Sequence, residues 1–424
     1  MNNGKLTKKN QPANAKNGTK PRIGLALGGG GPTGGIYEIG ALRALDEAME
    51  GLDFNDLDVY VGVNSGSFVA AHLVNQVTTA QLCRIFVRNE SELHPFHPGV
   101  FYRPAFAEMG RRMLAIPGLV TTALTRFFHN PYDQSLLEAL IILAQAAPAG
   151  LFNNEGLHHY LRRAFTMLGR TNDFRQLKRQ LFIVAADVES SKSVCFGAQG
   201  FDTVPISKAI QASTASAGLY VPVEIDGHYY LDGTLRKGLH ASVAFDHKAD
   251  LVLGINPQVP LDAAAAMEAG TLAAGEITRS GMPNVLAQTY RTMVHSRMQS
   301  GIDRYAQDYP DKDIVLFEPS SDDAILFGAN VFSFESRRLL CEHAYQATRR
   351  DLRLRAAELE PKLAKYGIAL RHDYLNDADR TVSTSLFGEP PQATLKAKMQ
   401  TQKSRLAAGL QSVNGQTEKA RYKM

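Results

Sequence analysis

The residues best placed to do chemistry in this chain sit in the stretch "DVYVGVNSGSFVAAHLV", residues 58–74. A short apolar run enters a tight turn and continues at helical spacing, the strand-to-helix setting in which many hydrolases hold a nucleophilic serine. Here the residue at the turn is Asn64, with serines only at Ser65 and Ser67. A carboxamide nitrogen is a poor nucleophile because its lone pair is delocalised into the carbonyl, so Asn64 cannot form the ordinary acyl-ester intermediate. Such a turn is nevertheless compatible with asparagine, which tolerates positive φ better than most residues. Ser65 stands one residue further round, and an elbow centred on it would need glycines where Val63 and Ser67 stand.

A second candidate precedes it. "LGGGGPTGG" places Gly29, Gly31 and Gly34 in a G-x-G-x-x-G pattern. A dinucleotide site needs an acidic residue at the end of the second strand, whereas Asp56 and Asp58 lie before or at its start. A P-loop needs Lys and Ser/Thr after the last glycine, and Gly35 and Ile36 stand there. Two readings remain: a tight strand-to-helix turn with no further role, or an oxyanion hole. In the second, glycines turn backbone N–H groups toward one point beside a helix N-terminus, where an acyl-transfer intermediate becomes charged. The elbow at 58–74 supplies the frame such a hole requires.

The elements around these two turns alternate. "RIGLALGGGG" reads as a strand, "GIYEIGALRALDEAME" as a helix, "DVYVG" as a second strand and "SFVAAHLV" as a helix, which predicts a parallel sheet covered by helices. From about 94 to 171 the pattern changes to a helical insertion, including an apolar helix over 136–152, and the α/β pattern then resumes with "QLFIVAADV", "SVCFGA", "ISKAIQASTA", "HYYLDGTL" and "ADLVLGINP". Beyond Pro260 the chain is helical, with one long amphipathic helix over 332–367 carrying arginines on its outer face. The expected organisation is a basic, disordered leader at 1–20, an α/β domain at 21–260, a helical part at 261–372 and a polar, disordered tail at 373–424.

The matching glycine loop, elbow and "DGT" at 232–234, in that order and with these flanks, resemble the patatin-like phospholipase family, whose blocks are G-G-G-x-[RK]-G, G-x-S-x-G and D-G-[GA]. The resemblance covers roughly residues 22–260. It implies a three-layer α/β/α patatin-like fold with a mainly parallel central sheet, a helical insertion and a helical C-terminal part. It further implies a lipid acyl hydrolase working through a Ser–Asp dyad, with no metal and no cofactor. Residue by residue, Gly30 and Gly31 fall at the oxyanion-donor positions, Asp232 at the base, and Asn64 at the nucleophile, with Gly29, Gly34, Ser65 and Gly66 around the substrate. Three residues depart from the pattern: Thr33 replaces the basic residue of the glycine loop, Thr234 the small residue after Asp-Gly, and Asn64 the serine. The Asn64 amide is expected to donate to Asp232 while its oxygen faces the Gly30 and Gly31 amides, mimicking a bound ester.

Other polar residues have plainer readings: Asp187 as a loop or capping carboxylate, Asp226–Gly227 as a hairpin turn, His240 as packed or solvated. Phe101, Phe106, Leu119, Phe127, Phe128 and 136–143 of the insertion form either core or a lid-like, lipid-facing surface. Cys83, Cys195 and Cys341 show no paired spacing, which argues against a disulfide framework or metal site and for a reducing, cytoplasmic setting. The net charge of +4 is concentrated at the two ends, from Lys5 to Arg22 and from Lys396 to Lys423, either as solubilising tails or as a weak attraction to anionic lipid. The expected partner is a lipid or acyl ester, with peripheral membrane contact and no nucleic acid. Two functions stay open, a phospholipase-type carboxylic ester hydrolase and an inactive relative that binds lipid or a protein partner; a third has the asparagine as a variant of a serine enzyme.

Overall fold

The computed structural model describes residues 20–90, 95–129, 146–330 and 332–387. Strand β1 (Ile23–Leu27) leads through the glycines into helix α1 (Gly31–Ala48), and β2 (Val59–Val63) leads through Asn64 into α2 (Ser65–Val74). The insertion contributes α3 (Phe106–His129) and α4 (Glu155–Phe165). Then come β3 (Gln180–Asp187), β4 (Ser193–Phe196), α5 (Ile206–Ser213), β5 (Val223–Ile225), β6 (His228–Asp232), α6 (Ala241–Asp246) and β7 (Leu251–Ile255). The C-terminal part adds α7 (Met282–Asp308), β8 (Asp313–Phe317), α8 (Phe334–Leu354) and α9 (Ala356–Ala364).

Strands β8, β7, β1, β2 and β3 run parallel in that order. The β5–β6 hairpin and β4 join antiparallel, so the central sheet is mixed, with a parallel majority. Alternation along each strand feeds two cores. Leu25, Leu27, Tyr60, Ile183 and Leu253 pack with α1, α2 and α8 on one face. Ala26, Val59, Val61, Val63, Phe182 and Val252 pack with α6 and with Met298 and Tyr305 of α7 on the other. The three-layer expectation from the sequence holds.

One detail of register positions the site. On β3, Val184 pairs with Val63 of β2 and Ala185 pairs with Asp232 of β6. Both Val184 and Ala185 also pair with β4 on the opposite edge. Parallel β2 and antiparallel β6 therefore share one edge of β3 and end against each other. The residue that follows Val63 and the last residue of β6 are brought side by side although 168 positions separate them.

Several expectations need correction. Residues 150–152, assigned to the end of an apolar helix, belong to a strand (Gly150–Asn153) that pairs with Gly218–Tyr220 and Arg103–Pro104 in a second small sheet. The backbone at Tyr220 and Val221 runs so close to Gly150 that only a residue without Cβ fits. Residues 146–149 of that proposed helix are turn, and its part at 136–145 lies outside the described residues, as do the side chains of Phe127 and Phe128. The predicted long C-terminal helix is two helices, and Arg337 and Arg349 are buried in place of facing outward. Arg349 explains the next correction: its guanidinium donates to the carbonyls of Tyr374, Asp377 and Arg380, and Arg43 donates to Ser385 at 2.6 Å. Packing thus continues through Phe387, beyond the boundary at 372, with Leu375, Val382 and Leu386 buried. The three cysteines are free thiols, and Cys83 raises the pKa of its core neighbour Cys341. Among the described residues no helix is long and apolar enough to cross a membrane. Of the basic ends, Lys20 and Arg22 are described, and the Arg22 N–H is tied to Asp250 at 2.9 Å.

Candidate active site

Asn64 sits at φ 52°, ψ −122°, the positive-φ elbow that the sequence suggested. Its N–H donates to Ser213 Oγ at 2.9 Å, and its carbonyl accepts from the Ser67 N–H at 3.1 Å and hydroxyl at 2.6 Å, so the turn is fastened on both sides. Gly66 lets the elbow press against β1: its N–H donates to the Gly28 carbonyl at 2.9 Å, and an added Cβ would collide with the Leu27 and Gly28 carbonyls. Gly30 (φ 152°) and Gly31 (φ 62°) take conformations that favour glycine, which turns their N–H groups toward the elbow.

The Asn64 side chain bridges the two halves of this site. Its Oδ1 accepts from Gly31 N at 2.9 Å, Ser65 N at 2.7 Å and, at the long end, Gly30 N at 3.4 Å. Its Nδ2 donates to Asp232 Oδ2 at 2.6 Å and to Ser216 Oγ at 3.3 Å. Exchanging O and N of this amide would set its NH₂ against three N–H groups and its oxygen against a carboxylate, so the hydrogen bonds fix its orientation. An oxygen held by converging backbone N–H groups is the arrangement that stabilises an oxyanion.

Asp232 is buried. Besides Asn64 it accepts from Ser216 Oγ at 2.9 Å, Thr234 N at 2.9 Å and Thr234 Oγ1 at 2.7 Å. Thr234 in turn pairs with the Tyr290 hydroxyl at 2.5 Å. Burial raises the Asp232 carboxyl above its ordinary value, and these donors pull it back. Four donors on two oxygens suit an ionised, acceptor-only carboxylate. Thr234, read from the sequence as a mild change, is a direct partner of the acid.

In front of Asn64 lies a strongly apolar cavity of about 80 Å³, walled by Ile36, Ile39, Phe68, Phe96, Phe101 and Leu219, with Gly31, Asn64, Ser65, Ser216 and Arg337 also in its lining. Gly29, Gly34 and Gly66 stand behind it, Gly29 against Thr234 and Asn64, Gly34 against Pro257 and Ser65. His240 is buried, and burial lowers its pKa to about 4, so it is a packed neutral histidine. Asp187 accepts the Ser190 N–H at 2.6 Å as a loop carboxylate. Among the described residues, Glu155–His158–His159 and Asp187–Glu189–His228 bring three ligand-type side chains together; neither group lines the cavity.

Ser216, Tyr290, Glu38 and the cavity-lining Arg337 were missed. Ser216 and Tyr290 give no local pattern, since they reach Asp232 only through the fold. Glu38 sits on the face of α1 that meets the elbow, is fully buried, and neither of its oxygens has a hydrogen-bond partner among the described residues. Burial pushes it well above the ordinary carboxylate range, opposed only by the nearby Ser65 hydroxyl. The sign follows from the raised native pKa. Stability is full below about pH 4.5, where both states are protonated, and falls as pH rises toward the native pKa, because only the unfolded chain ionises readily. Glu38→Gln should therefore gain stability over the native chain by about 1.4 kcal/mol per pH unit above pH 4.5 until the native pKa is reached. Urea unfolding at a series of pH values checks this; parallel stability curves would contradict it.

The sequence profile of the family described as Patatin-like phospholipase matches residues 25–245, which include both turns and Asp232. The chain belongs to this family. No curated protein sequence matches the patatin-like chain. Among solved structures it is similar to VipD from Legionella pneumophila, at 13% identity and a TM-score of 0.36, over 78% of this chain and 66% of that one. It is also similar to human GIVD cytosolic phospholipase A2, at 11% identity and 0.27, over 59% of this chain and 47% of that one. A third is ExoU of the Pseudomonas aeruginosa type III secretion system, solved in complex with SpcU, at 14% identity and 0.26, over 68% of this chain and 53% of that one. The patatin-like chain thus spans less than two thirds of the length of these proteins.

Proposed function

We propose that this patatin-like chain binds fatty acyl lipid in the cavity before Asn64, on a scaffold built for carboxylic ester hydrolysis of phospholipids or other acyl esters, and that Asn64 keeps the hydrolytic site closed. One observation carries this: the Asn64 amide oxygen already takes the Gly31 N–H at 2.9 Å while its nitrogen engages Asp232 at 2.6 Å. The side chain fills the place of a substrate carbonyl and occupies the base. The apolar wall of the cavity suits an acyl chain. Its volume of about 80 Å³ is small beside the roughly 300–1,000 Å³ of ordinary ligand pockets, so it takes one end of a lipid. The rest follows the aromatic track from Phe101 through Tyr102 to the exposed Phe332. Contact with a membrane is peripheral on this reading, and exposed Phe106, Met113 and Leu114 on α3 favour the lipid-facing role of the insertion over the core role.

A second reading makes Ser65 the nucleophile. It is favoured by one fact: Ser65 is in the lining of the cavity, and its buried hydroxyl has no hydrogen-bond partner among the described residues. The test is a long-chain p-nitrophenyl ester, measured for both binding and turnover. Our reading expects saturable binding with hydrolysis at the buffer rate. Turnover that vanishes in Ser65→Ala would establish the second reading, and absence of binding would overturn the first.

A further inference from the structure

Arg337, near the start of α8, is the one cationic side chain among the described residues lining this cavity, and it is 1% exposed. Its Nη1 donates to the Phe86 carbonyl at 2.7 Å, and its guanidinium stacks 4.2 Å from the Phe334 ring centroid. Nε and Nη2 have no acceptor among the described residues. The neighbouring charge that acts on it is Arg338, of the same sign, and no carboxylate among the described residues forms an ion pair with it. A buried guanidinium without an anion is costly, since its desolvation is not repaid. The two free positions are also not arbitrary: Nε–H and Nη2–H form one edge of the guanidinium fork, two parallel donors spaced to meet both oxygens of a carboxylate.

We infer that Arg337 holds the carboxylate of a free fatty acid, with the first carbons of its chain against Ile36, Ile39, Phe68 and Phe96. This rests on the acyl-binding reading above and gives it a ligand: an anion-headed chain, bound head-first at α8, and not an ester presented to the elbow. The oxyanion donors cannot serve that head group, because the Asn64 oxygen already occupies them. The fork then supplies the remaining polar recognition in an otherwise apolar cavity.

The test compares dodecanoate, methyl dodecanoate, dodecanol and dodecyl phosphate by isothermal titration on the full chain. The native chain is expected to bind dodecanoate about tenfold or more tightly than the neutral ester or alcohol, the difference a desolvated charge-assisted pair supplies. Arg337→Met should lose that preference while still binding dodecanol. Arg337→Lys keeps the charge without the fork and should fall between. Equal affinity of the native chain for acid and alcohol overturns the inference and leaves the acyl pocket standing; this arm needs no variant to fold. Binding of none of the four overturns the inference and the acyl reading together. Tighter binding of dodecyl phosphate than of dodecanoate overturns the choice of a carboxylate head.

Discussion

Asn64→Ser turns on ester hydrolysis: the variant should cleave short-chain p-nitrophenyl esters about a hundred- to ten-thousand-fold faster than the native chain, a part of the roughly million-fold that a serine nucleophile supplies in an optimised hydrolase. On the proposed function the remaining parts are already in position. The elbow has its positive φ, the Gly31 N–H points at the space that the Asn64 oxygen fills, and Asp232 Oδ2 lies 2.6 Å from the Asn64 nitrogen. A serine shortens the side chain, vacates the oxyanion donors and leaves its hydroxyl within reach of the acid. Ser216 and Thr234 continue to hold that acid in place. Two features restrain the gain. A serine at positive φ is strained by about 1 kcal/mol or more, and Thr33 leaves the glycine loop without the positive charge common in the family. Adding Asp232→Asn to the serine variant should return the rate to that of the native chain; if it does not, Asp232 is not the base.

Gly40→Ala should unfold the protein more easily by about 3 kcal/mol, the upper part of the range for overpacking a tight contact. At this position α1 and α8 touch through their backbones: an added Cβ would run into the Cys341 carbonyl and lie 3.0 Å from Ala344 Cβ. The two helices would have to part, disturbing the buried Tyr345 hydroxyl bond to Glu47 (2.5 Å) and the Arg380 pair with the same carboxylate. Gly301, in the middle of α7, provides the control, since a Cβ there meets nothing within 4 Å. Gly301→Ala should stabilise by about 0.5–1 kcal/mol, as expected for glycine removed from a helix interior. Urea midpoints of the two variants should move in opposite directions, and shifts of the same sign would contradict the packing account.

The three turns were legible because their constraints are local. Glycines at 28–31, an apolar run into Asn64, and Asp-Gly after "HYYL" state in a few residues what the backbone must do. The meeting of Asn64 with Asp232 was legible only through family resemblance, since it depends on β2 and β6 ending head to head on β3, a register that no local pattern encodes. Tyr290 and Arg337 were invisible for a related reason. Arg337 lies in a charged stretch that reads as a solvated helix face, and only the packing of α8 on α1 makes it part of the cavity. The Gly150–Asn153 strand was read as helix because apolar residues there fit either period, and the pairing with Gly218–Tyr220 decided it. The segment after 372 looked too polar to pack, yet its backbone carbonyls are what Arg349 binds.

On the proposed function, the Asn64 side chain closes an otherwise complete hydrolase site. Intact mass after incubation with a fluorophosphonate, which reacts with activated serine nucleophiles, tests it most directly. The account predicts no adduct on the native chain and one phosphonyl group on Asn64→Ser, mapped to position 64 by peptide analysis. A stoichiometric adduct on the native chain, at Ser65 or any other serine, would contradict it.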